Sequence, residues 1–287
     1  MGSTYILGFT LYDLVWFFFL YSVVGWVVET VYESLRQGLL VNRGFLIGCY
    51  CPIYGFASWL VLFSLSRFRG RFFLVFILGM VLATLLEYFV GWLMETTLQS
   101  KWWDYSHSKF NFKGRVSLLT SLAWGLMCAV VIEFIHPFTV ATIHSFSYRS
   151  GMVALGVIFI TMSIDAIISL AAAIRLSNKM SALANIRERA TVFILQHVPL
   201  EEGDKLRQRF LSSYIGEIFS AGYDRLKTAA DSVGFFSALD SLKERYDQIM
   251  GSVSLSERRF FRAFPSLYFP KLRELSEEVR ERAGRDD

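Results

Sequence analysis

The stretch from Phe72 to Leu98 reads FFLVFILGMVLATLLEYFVGWLMETTL, and an earlier one, Tyr12 to Leu35, reads YDLVWFFFLYSVVGWVVETVYESL. A bilayer core of about 30 Å requires roughly 20 helical residues, and both stretches are longer than that. Each contains glutamate, Glu87 in the first and Glu29 and Glu33 in the second. An ionised carboxylate at membrane depth costs about 2.5 kcal/mol or more, so it normally faces the protein interior, is paired or is protonated. The two stretches therefore predict membrane-spanning helices around a polar centre.

The composition places most of the chain in a membrane. Of 287 residues, 54% are hydrophobic, and the charged residues are unevenly distributed. Residues 1–174 carry 18 charged side chains, and residues 175–287 carry 36. This difference predicts a transmembrane domain over 1–174 and a water-facing α-helical domain over 175–287. The net charge of +4 is small and the tail's basic and acidic residues alternate, so no nucleic-acid partner is expected.

The apolar runs predict an all-α fold, a polytopic membrane helix bundle of about five spans with a helical tail domain. The spans are expected at about 12–35, 53–66, 72–98, 117–136 (ending before Pro137) and 151–174. Residues 42–55 are apolar but are broken by glycine and proline, which predicts a re-entrant or interfacial segment on the same side as residues 101–115. Such a segment lies at membrane depth only if its backbone is buried in protein or lines a cavity.

The tail is predicted to be helical. Apolar residues at three- and four-residue spacing extend the fifth span from 176 to 190, and amphipathic runs follow at about 203–230 and 236–250. Ser254 or Ser256 is expected to open a further helix, SERRFFRAF, and Pro270 precedes another. These helices form either a small packed bundle or a layer docked on the membrane surface.

The basic residues of the connections predict the orientation. One side collects eight: Arg36, Arg43, Lys101, Lys109, Lys113, Arg115, Arg175 and Lys179. The other collects four: Arg67, Arg69, Arg71 and Arg149. Because cytoplasmic loops carry the excess of basic residues, the N-terminus is expected outside and the C-terminal domain in the cytoplasm.

Acidic residues recur on predicted helix faces. Glu29 and Glu33 share one face, Asp165 lies on the fifth span, and the third span has Gly79, Ala83, Glu87, Gly91 and Glu95 at intervals of four. Small residues at such spacing let helices approach closely in lipid. We expect Glu29, Glu87 and Asp165 to face one another across the bundle. The alternative is that these acids only fix helix packing through neighbouring Ser, Thr, Tyr and Trp groups.

Two polar segments accompany these acids on the same side, VNRG at 41–44 and KWWDYSHSKFNFKGR at 101–115. Asp, Asn and Arg interleaved with tryptophan are poorly explained by an interfacial aromatic belt. The candidate substrate-binding residues are therefore Glu29, Glu33, Asn42, Arg43, Glu87, Trp102, Trp103, Asp104, Tyr105, Asn111, Arg115 and Asp165. Since an unpaired charge in a low-dielectric bundle is costly, Arg43 or Arg115 should pair with Glu29, Glu33, Glu87 or Asp104.

No cofactor and no metal site is predicted. The four histidines have no paired spacing, which argues against zinc, although Mg²⁺ or Ca²⁺ on carboxylates stays open. The three cysteines, Cys49, Cys51 and Cys128, make no disulfide framework and are expected as small apolar fillers. The chain has no GxxxxGK[ST] motif, so no ATPase of its own is expected.

The runs GWVVETVYES, VNRGFLIGCYCPIYGF, GMVLATLLEY and KWWDYSHSKFNFKGRVSLLTSLAWG occur in this order. With them, residues 12–145 closely resemble the CmpB-like family of type IV ABC-transporter permeases. Its motif positions fall on Glu29, Asn42, Arg43, Gly44, Pro52, Tyr54, Gly55, Glu87, Trp102, Trp103, Asp104, Tyr105, Asn111, Gly114 and Arg115. The resemblance implies transport, a multi-pass location in a cell membrane (the bacterial cytoplasmic membrane first), and contact with membrane lipid. A second copy of the chain or a separate ATPase subunit would be its protein partner.

Three functions remain open from the sequence. A transporter or permease component of unknown substrate comes first, because intramembrane acids beside a broken helix bind substrates and ions. The second is a membrane-embedded enzyme acting on a lipid or isoprenoid, with carboxylates as acid and base and Arg43 or Arg115 holding a phosphate. The third is a membrane scaffold or regulatory protein that works through its C-terminal domain.

Overall fold

The computed structural model describes residues 5–6, 9–197, 233–270 and 276. Most of these residues are helical. The helices are α1 Leu11–Gln37, α2 Pro52–Leu65, α3 Phe72–Leu98, α4 Leu118–Val130, α5 His136–Ser145, α6 Tyr148–His197, α7 Val233–Gly251 and α8 Leu255–Ala263. The predicted run at 203–230 lies outside the described residues, as does the segment after Pro270 apart from residue 276.

Four helical segments are long and apolar enough to cross a membrane: Leu11–Gln37, Phe72–Leu98, Leu118–Ser145 and Tyr148–Ala190. The predicted first, third and fifth spans correspond to α1, α3 and α6. Helix α2 coincides with the predicted short second span, and its 14 residues extend about 21 Å at 1.5 Å per residue. Because this is shorter than the bilayer core, α2 does not meet the length of a full crossing.

Local sequence fixes both ends of α1. The Thr10 hydroxyl accepts the Asp13 N–H, and the Asp13 carboxylate in turn accepts the Thr10 N–H, which satisfies orphan donors at the helix start. At the other end Gly38 adopts a left-handed conformation with φ of 70°, and its N–H donates to the Ser34 carbonyl. The helix thus ends at Gln37, four residues after Glu33 and eight residues after Glu29.

The fourth predicted span does not end before Pro137, as the sequence suggested. A π-helical turn, Val131–Ile135, joins α4 to α5, and Pro137 lies in the first turn of α5. There the N–H of His136 donates to the Val131 carbonyl across five residues. The wider turn changes the hydrogen-bond pattern just before Pro137, whose nitrogen has no hydrogen to donate. The helix can therefore continue past the proline to Ser145.

Two short antiparallel strand pairs were not predicted. Strand β1 (Tyr5–Ile6) pairs with β2 (Phe9–Thr10), and β3 (Asn111–Phe112) pairs with β4 (Val116–Ser117). The second pair closes the tight turn at Lys113 and Gly114, which have positive φ angles of 54° and 69°. It brings the loop 99–117 directly to the start of α4.

The chain forms two compact units, and the first comprises residues 1–97 and 102–171. Its core contains buried side chains from α1 to α5, among them Phe17, Leu62, Val75 and Ala129. A second cluster joins Phe19 of α1, Leu46, and Leu155 and Met162 of α6. Many apolar side chains of α1, α3, α4 and α6 face outward, as expected for helices solvated by lipid.

The second unit comprises residues 98–101 and 172–287. In it the ammonium group of Lys179 donates to Glu257 Oε2 and to the Ser252 carbonyl, both at 2.7 Å. Glu257 is buried and also accepts the Ser254 N–H at 2.7 Å, so one carboxylate joins the α8 start to α6. The predicted helix start at Ser254 is confirmed. The division into transmembrane and cytoplasmic domains at residue 174 stays a prediction.

Close helix packing generates a prediction at Gly79. A Cβ atom there would lie 2.5 Å from the Cys128 Cβ, whereas one at Gly156 in α6 would meet nothing within 4 Å. We expect Gly79→Ala to destabilise the protein by about 1–3 kcal/mol through overpacking. Gly156→Ala should be neutral or stabilising by up to about 1 kcal/mol. Thermal melts in detergent compare the two variants, and an unchanged melting temperature for Gly79→Ala would contradict this packing.

Candidate functional site

The first element of the site is an ion-paired cluster between α1 and the segment that follows it. Arg43 donates from Nε to Glu29 Oε2 at 3.1 Å and from Nη1 to Glu33 Oε2 at 2.8 Å. Glu29 and Glu33 lie one helical turn apart and so present both carboxylates on one face. Glu33 is only 1% exposed. The prediction that Arg43 or Arg115 pairs with one of the nearby acids is confirmed.

Residues 38–51 have no regular secondary structure, and hydrogen bonds to side chains and to the α1 backbone hold them. Asn42 accepts the Trp26 indole N–H at 2.7 Å and donates to the Ile47 carbonyl at 2.8 Å. The Cys51 N–H donates to the Ser22 carbonyl at 2.9 Å. This segment, residues 38–51, therefore lies against α1 along its length and is called the connecting segment below.

Asp165 of α6 binds the same segment from the other side. Its carboxylate accepts the N–H groups of Ile47 at 2.9 Å and Gly48 at 2.7 Å, and the Tyr50 hydroxyl at 3.0 Å. Burial, followed by Asp165, raises the pKa of Tyr50 to about 12, so this phenol stays a donor at neutral pH. Asp165 was expected to face the glutamates of α1 and α3. Its carboxylate instead accepts hydrogen bonds from backbone N–H groups of the segment. A non-helical segment does not supply acceptors for these groups by itself.

Glu87 of α3 forms the second polar element. The Tyr105 hydroxyl donates to Glu87 Oε1 at 3.1 Å, and the Tyr54 hydroxyl donates to Glu29. The pKa of Tyr105 is raised, first by burial and then by the charges of Glu87 and Glu29. The Trp124 indole of α4 lies beside Glu87 without meeting hydrogen-bond geometry, and its ring is 5.9 Å from that of Tyr54.

Arg115 belongs to a separate pair. It donates from Nε and Nη2 to Glu95 and from Nη1 to the Tyr88 hydroxyl at 2.9 Å, all in the C-terminal half of α3. The hydrogen bond with Glu95 raises its pKa. Gly91 lies beneath this pair, because a Cβ atom there would be 3.3 Å from Trp103 and 3.5 Å from Arg115. The expectation that Gly91 lets two helices meet is wrong, since it accommodates the loop.

Other predicted residues shape the loop itself. Asp104 accepts the Ser106 N–H at 3.0 Å, and Asn111 donates to the Ser108 carbonyl at 2.9 Å and accepts the Gly114 N–H at 3.1 Å. The Trp103 indole donates to the Arg115 carbonyl at 2.9 Å.

Trp102 is buried, with its ring 5.3 Å from that of Phe45. This contact confirms that the connecting segment and the loop lie on the same side.

The structure thus brings Glu29, Glu33, Asn42, Arg43, Glu87 and Tyr105 to one polar centre. Sequence reasoning missed Tyr54, Glu95, Tyr88 and Tyr50 as hydrogen-bond partners, and Trp124 as a neighbour of Glu87. Tyr54 and Trp124 had a signal, because both lie inside the motif runs. Gly25 lets Tyr54 reach Glu29, since a Cβ atom there would be 2.1 Å from the Tyr54 ring.

The cysteines differ in accessibility. Cys51 and Cys128 are buried, as expected of apolar fillers, but Cys49 in the connecting segment is exposed. Burial raises the pKa of the Cys51 thiol to about 12, so this thiol is not ionised at neutral pH. The prediction of a filler is therefore wrong for Cys49.

Residues 16–170 match the sequence model of a family described as "Putative ABC-transporter type IV". This match covers more than half of the chain, and the chain belongs to that family. Together with four apolar helices of membrane-spanning length, it makes this a membrane protein related to transport. No curated protein and no solved structure matches the chain.

The Asp165 contacts generate a prediction for the connecting segment. Asparagine keeps the shape of Asp165 but replaces one acceptor oxygen by an NH₂ donor. The N–H of Ile47 or Gly48 then faces another donor and loses its acceptor. A hydrogen bond to a charged group contributes about 1.5–3 kcal/mol. Asp165→Asn should therefore speed amide hydrogen exchange at residues 46–50 by roughly 10–100-fold, measured by mass spectrometry.

Thr161→Ala is the matched control, because Thr161 is one turn earlier in α6 and its hydroxyl bonds only to its own helix. Its exchange at 46–50 should equal that of the parent. Unchanged exchange in Asp165→Asn would show that the carboxylate does not hold the segment.

Proposed function

We propose that the protein is the membrane-embedded permease component of a transporter, with its substrate site at the connecting segment and the glutamates of α1. The observation that carries this proposal is the anchoring of non-helical backbone by charged groups on two membrane helices. Arg43 ties the segment to Glu29 and Glu33, and Asp165 ties it to α6. Family membership supports transport independently.

Non-helical backbone suits a transport site for a physical reason. Inside a bilayer it is tolerated only where it is buried in protein or lines a polar cavity. It also leaves N–H and C=O groups that can bind a substrate and then rearrange at small cost. The Arg43 cluster holds this backbone against α1, since ion pairs of low exposure interact strongly.

Transport of this family type needs an energy source, which we assign to a separate ATPase subunit. The polar centre lies on the side where the sequence collects eight basic residues, so we assign that side and residues 175–287 to the cytoplasm. We assign α2, together with the end of the connecting segment, to a short fifth crossing that reaches Arg67. The surrounding lipid solvates the outward apolar side chains.

The enzyme alternative gains no support from the arginines. Arg43 is already bonded to two carboxylates and Arg115 to Glu95 and Tyr88. A phosphate headgroup would have to displace these partners, which is unfavourable in a low-dielectric environment. Carboxylate chemistry at Glu87 stays open to this alternative, and a role of the C-terminal domain as a scaffold is compatible with either function.

Arg43→Lys tests the proposed site. Lysine keeps a positive charge between Glu29 and Glu33, so the protein should fold, but it loses the planar fork that bonds both carboxylates. A strain lacking the gene is complemented with the parent or the variant. Mass spectrometry then identifies metabolites whose amounts in the cells and in the medium differ between these strains. Uptake of those metabolites into everted membrane vesicles is then measured with and without ATP. The ATP-dependent uptake should be about tenfold lower for Arg43→Lys than for the parent, equivalent to about 1.4 kcal/mol.

Arg67→Lys is the matched control, because Arg67 is exposed and its guanidinium lies over the Phe68 ring, outside the cluster. It should transport like the parent. Equal ATP-dependent uptake by Arg43→Lys and the parent, at equal amounts of protein in the membrane, would refute the proposed site. Absence of any ATP-dependent uptake in the parent would refute transport.

A further inference from the structure

Glu87 has a carboxylate oxygen that the fold leaves without a partner. The side chain is 9% exposed, and Oε1 accepts the Tyr105 hydroxyl at 3.1 Å. Oε2 is fully buried and accepts no hydrogen bond from any described residue, and Glu87 forms no ion pair in the described part of the chain. A buried polar group without a partner is uncommon and usually marks a bound ligand, water or proton.

The charges around Glu87 are out of balance. Among the described residues, the three carboxylates of Glu29, Glu33 and Glu87 share this part of the unit with one guanidinium, that of Arg43. Arg115 does not correct the balance, because it is bonded to Glu95. Glu29 and Glu33 both accept N–H groups from Arg43, so the surplus negative charge falls on Glu87. Isolated charges of this kind in a low-dielectric site are avoided by neutralisation.

We propose that Glu87 is a proton-binding site, which carries an exchangeable proton at pH values where an exposed glutamate is ionised. This goes beyond the proposed function, since transport driven by an ATPase requires no proton site. The proton binds a carboxylate oxygen of Glu87 and leaves to solvent, and no other bond changes. Binding it lowers the surplus negative charge of the centre by one unit.

The groups that face Glu87 are suited to both protonation states. Tyr105 from the loop donates to it, Glu29 acts on it from α1, and the Trp124 indole of α4 lies beside it. The Tyr105 hydroxyl can donate to a carboxylate and accept from a carboxylic acid, so the contact survives either state. Arg43 and Tyr54 of α2 complete the set through their bonds to Glu29.

Proton binding would couple Glu87 to the cluster at Glu29. Because the charges of Glu29 and Arg43 both act on Tyr105, the hydroxyl that contacts Glu87 is also in the field of the cluster. Gain of a proton at Glu87 removes a negative charge that competes with Glu29 for Arg43. The ion pairs of Arg43 with Glu29 and Glu33 are then stronger when Glu87 is protonated.

Infrared difference spectroscopy tests the site without any transport assay. The full-length protein in liposomes is titrated between acidic and alkaline pH, in H₂O and D₂O. The parent should keep a protonated-carboxyl C=O band, shifted by D₂O, at about pH 6, where a free glutamic acid with a pKa of about 4.3 is ionised. Glu87→Gln should lose this band and Glu33→Gln should keep it, because Glu33 is ion-paired with Arg43.

Tyr105→Phe provides a second readout. It leaves the carboxyl of Glu87 in place but removes its hydrogen bond, so the band should move to higher frequency. A folded parent without a protonated-carboxyl band at about pH 6, or a band unchanged in Glu87→Gln, would overturn the proposal. Failure of ATP-dependent uptake would leave these spectra unaffected, so the proton site and the transport function fail separately.

Discussion

The contact between Arg43 and the two glutamates of α1 is the constraint around which the first unit is organised. The buried carboxylate of Glu33 is stabilised by a charged partner, and the chain delivers that guanidinium by turning back along α1. The connecting segment is therefore not helical, because a helix would continue away from Glu29. Its unsatisfied N–H groups then require Asp165, which fixes α6 to the same place.

Close backbone approach supports this arrangement. A Cβ at Gly25 would overlap the Tyr54 ring, and one at Gly55 would lie 2.6 Å from the Ser22 hydroxyl. These two glycines, one in α1 and one in α2, let the two helices pack tightly enough for the Tyr54 hydroxyl to reach Glu29. Van der Waals fit of this kind replaces the hydrophobic drive between helices in lipid. The polar centre therefore depends on the close packing of α1 against α2.

The sequence predicted what the membrane itself dictates. Lipid imposes length and apolar composition, so α3 appears at its predicted bounds, Phe72–Leu98. Charge balance predicted that Arg43 or Arg115 pairs with one of four nearby acids, and Arg43 pairs with two of them, Glu29 and Glu33. It could not predict that Arg115 binds Glu95, because the rotation of α3 relative to the loop depends on packing around Gly91. The partners of Asp165 were also hidden, since backbone N–H groups leave no mark in a sequence.

The unequal accessibility of the cysteines makes the connecting segment a natural reporter of membrane sidedness. Cys49 is exposed, whereas Cys51 and Cys128 are shielded, so a thiol reagent should modify the unaltered chain at one place. That place is one residue from Gly48, whose N–H is held by Asp165. A membrane-impermeant reagent added to either face of sealed vesicles would therefore reveal which face the segment adjoins. The rate of modification would also follow its movements without an engineered label.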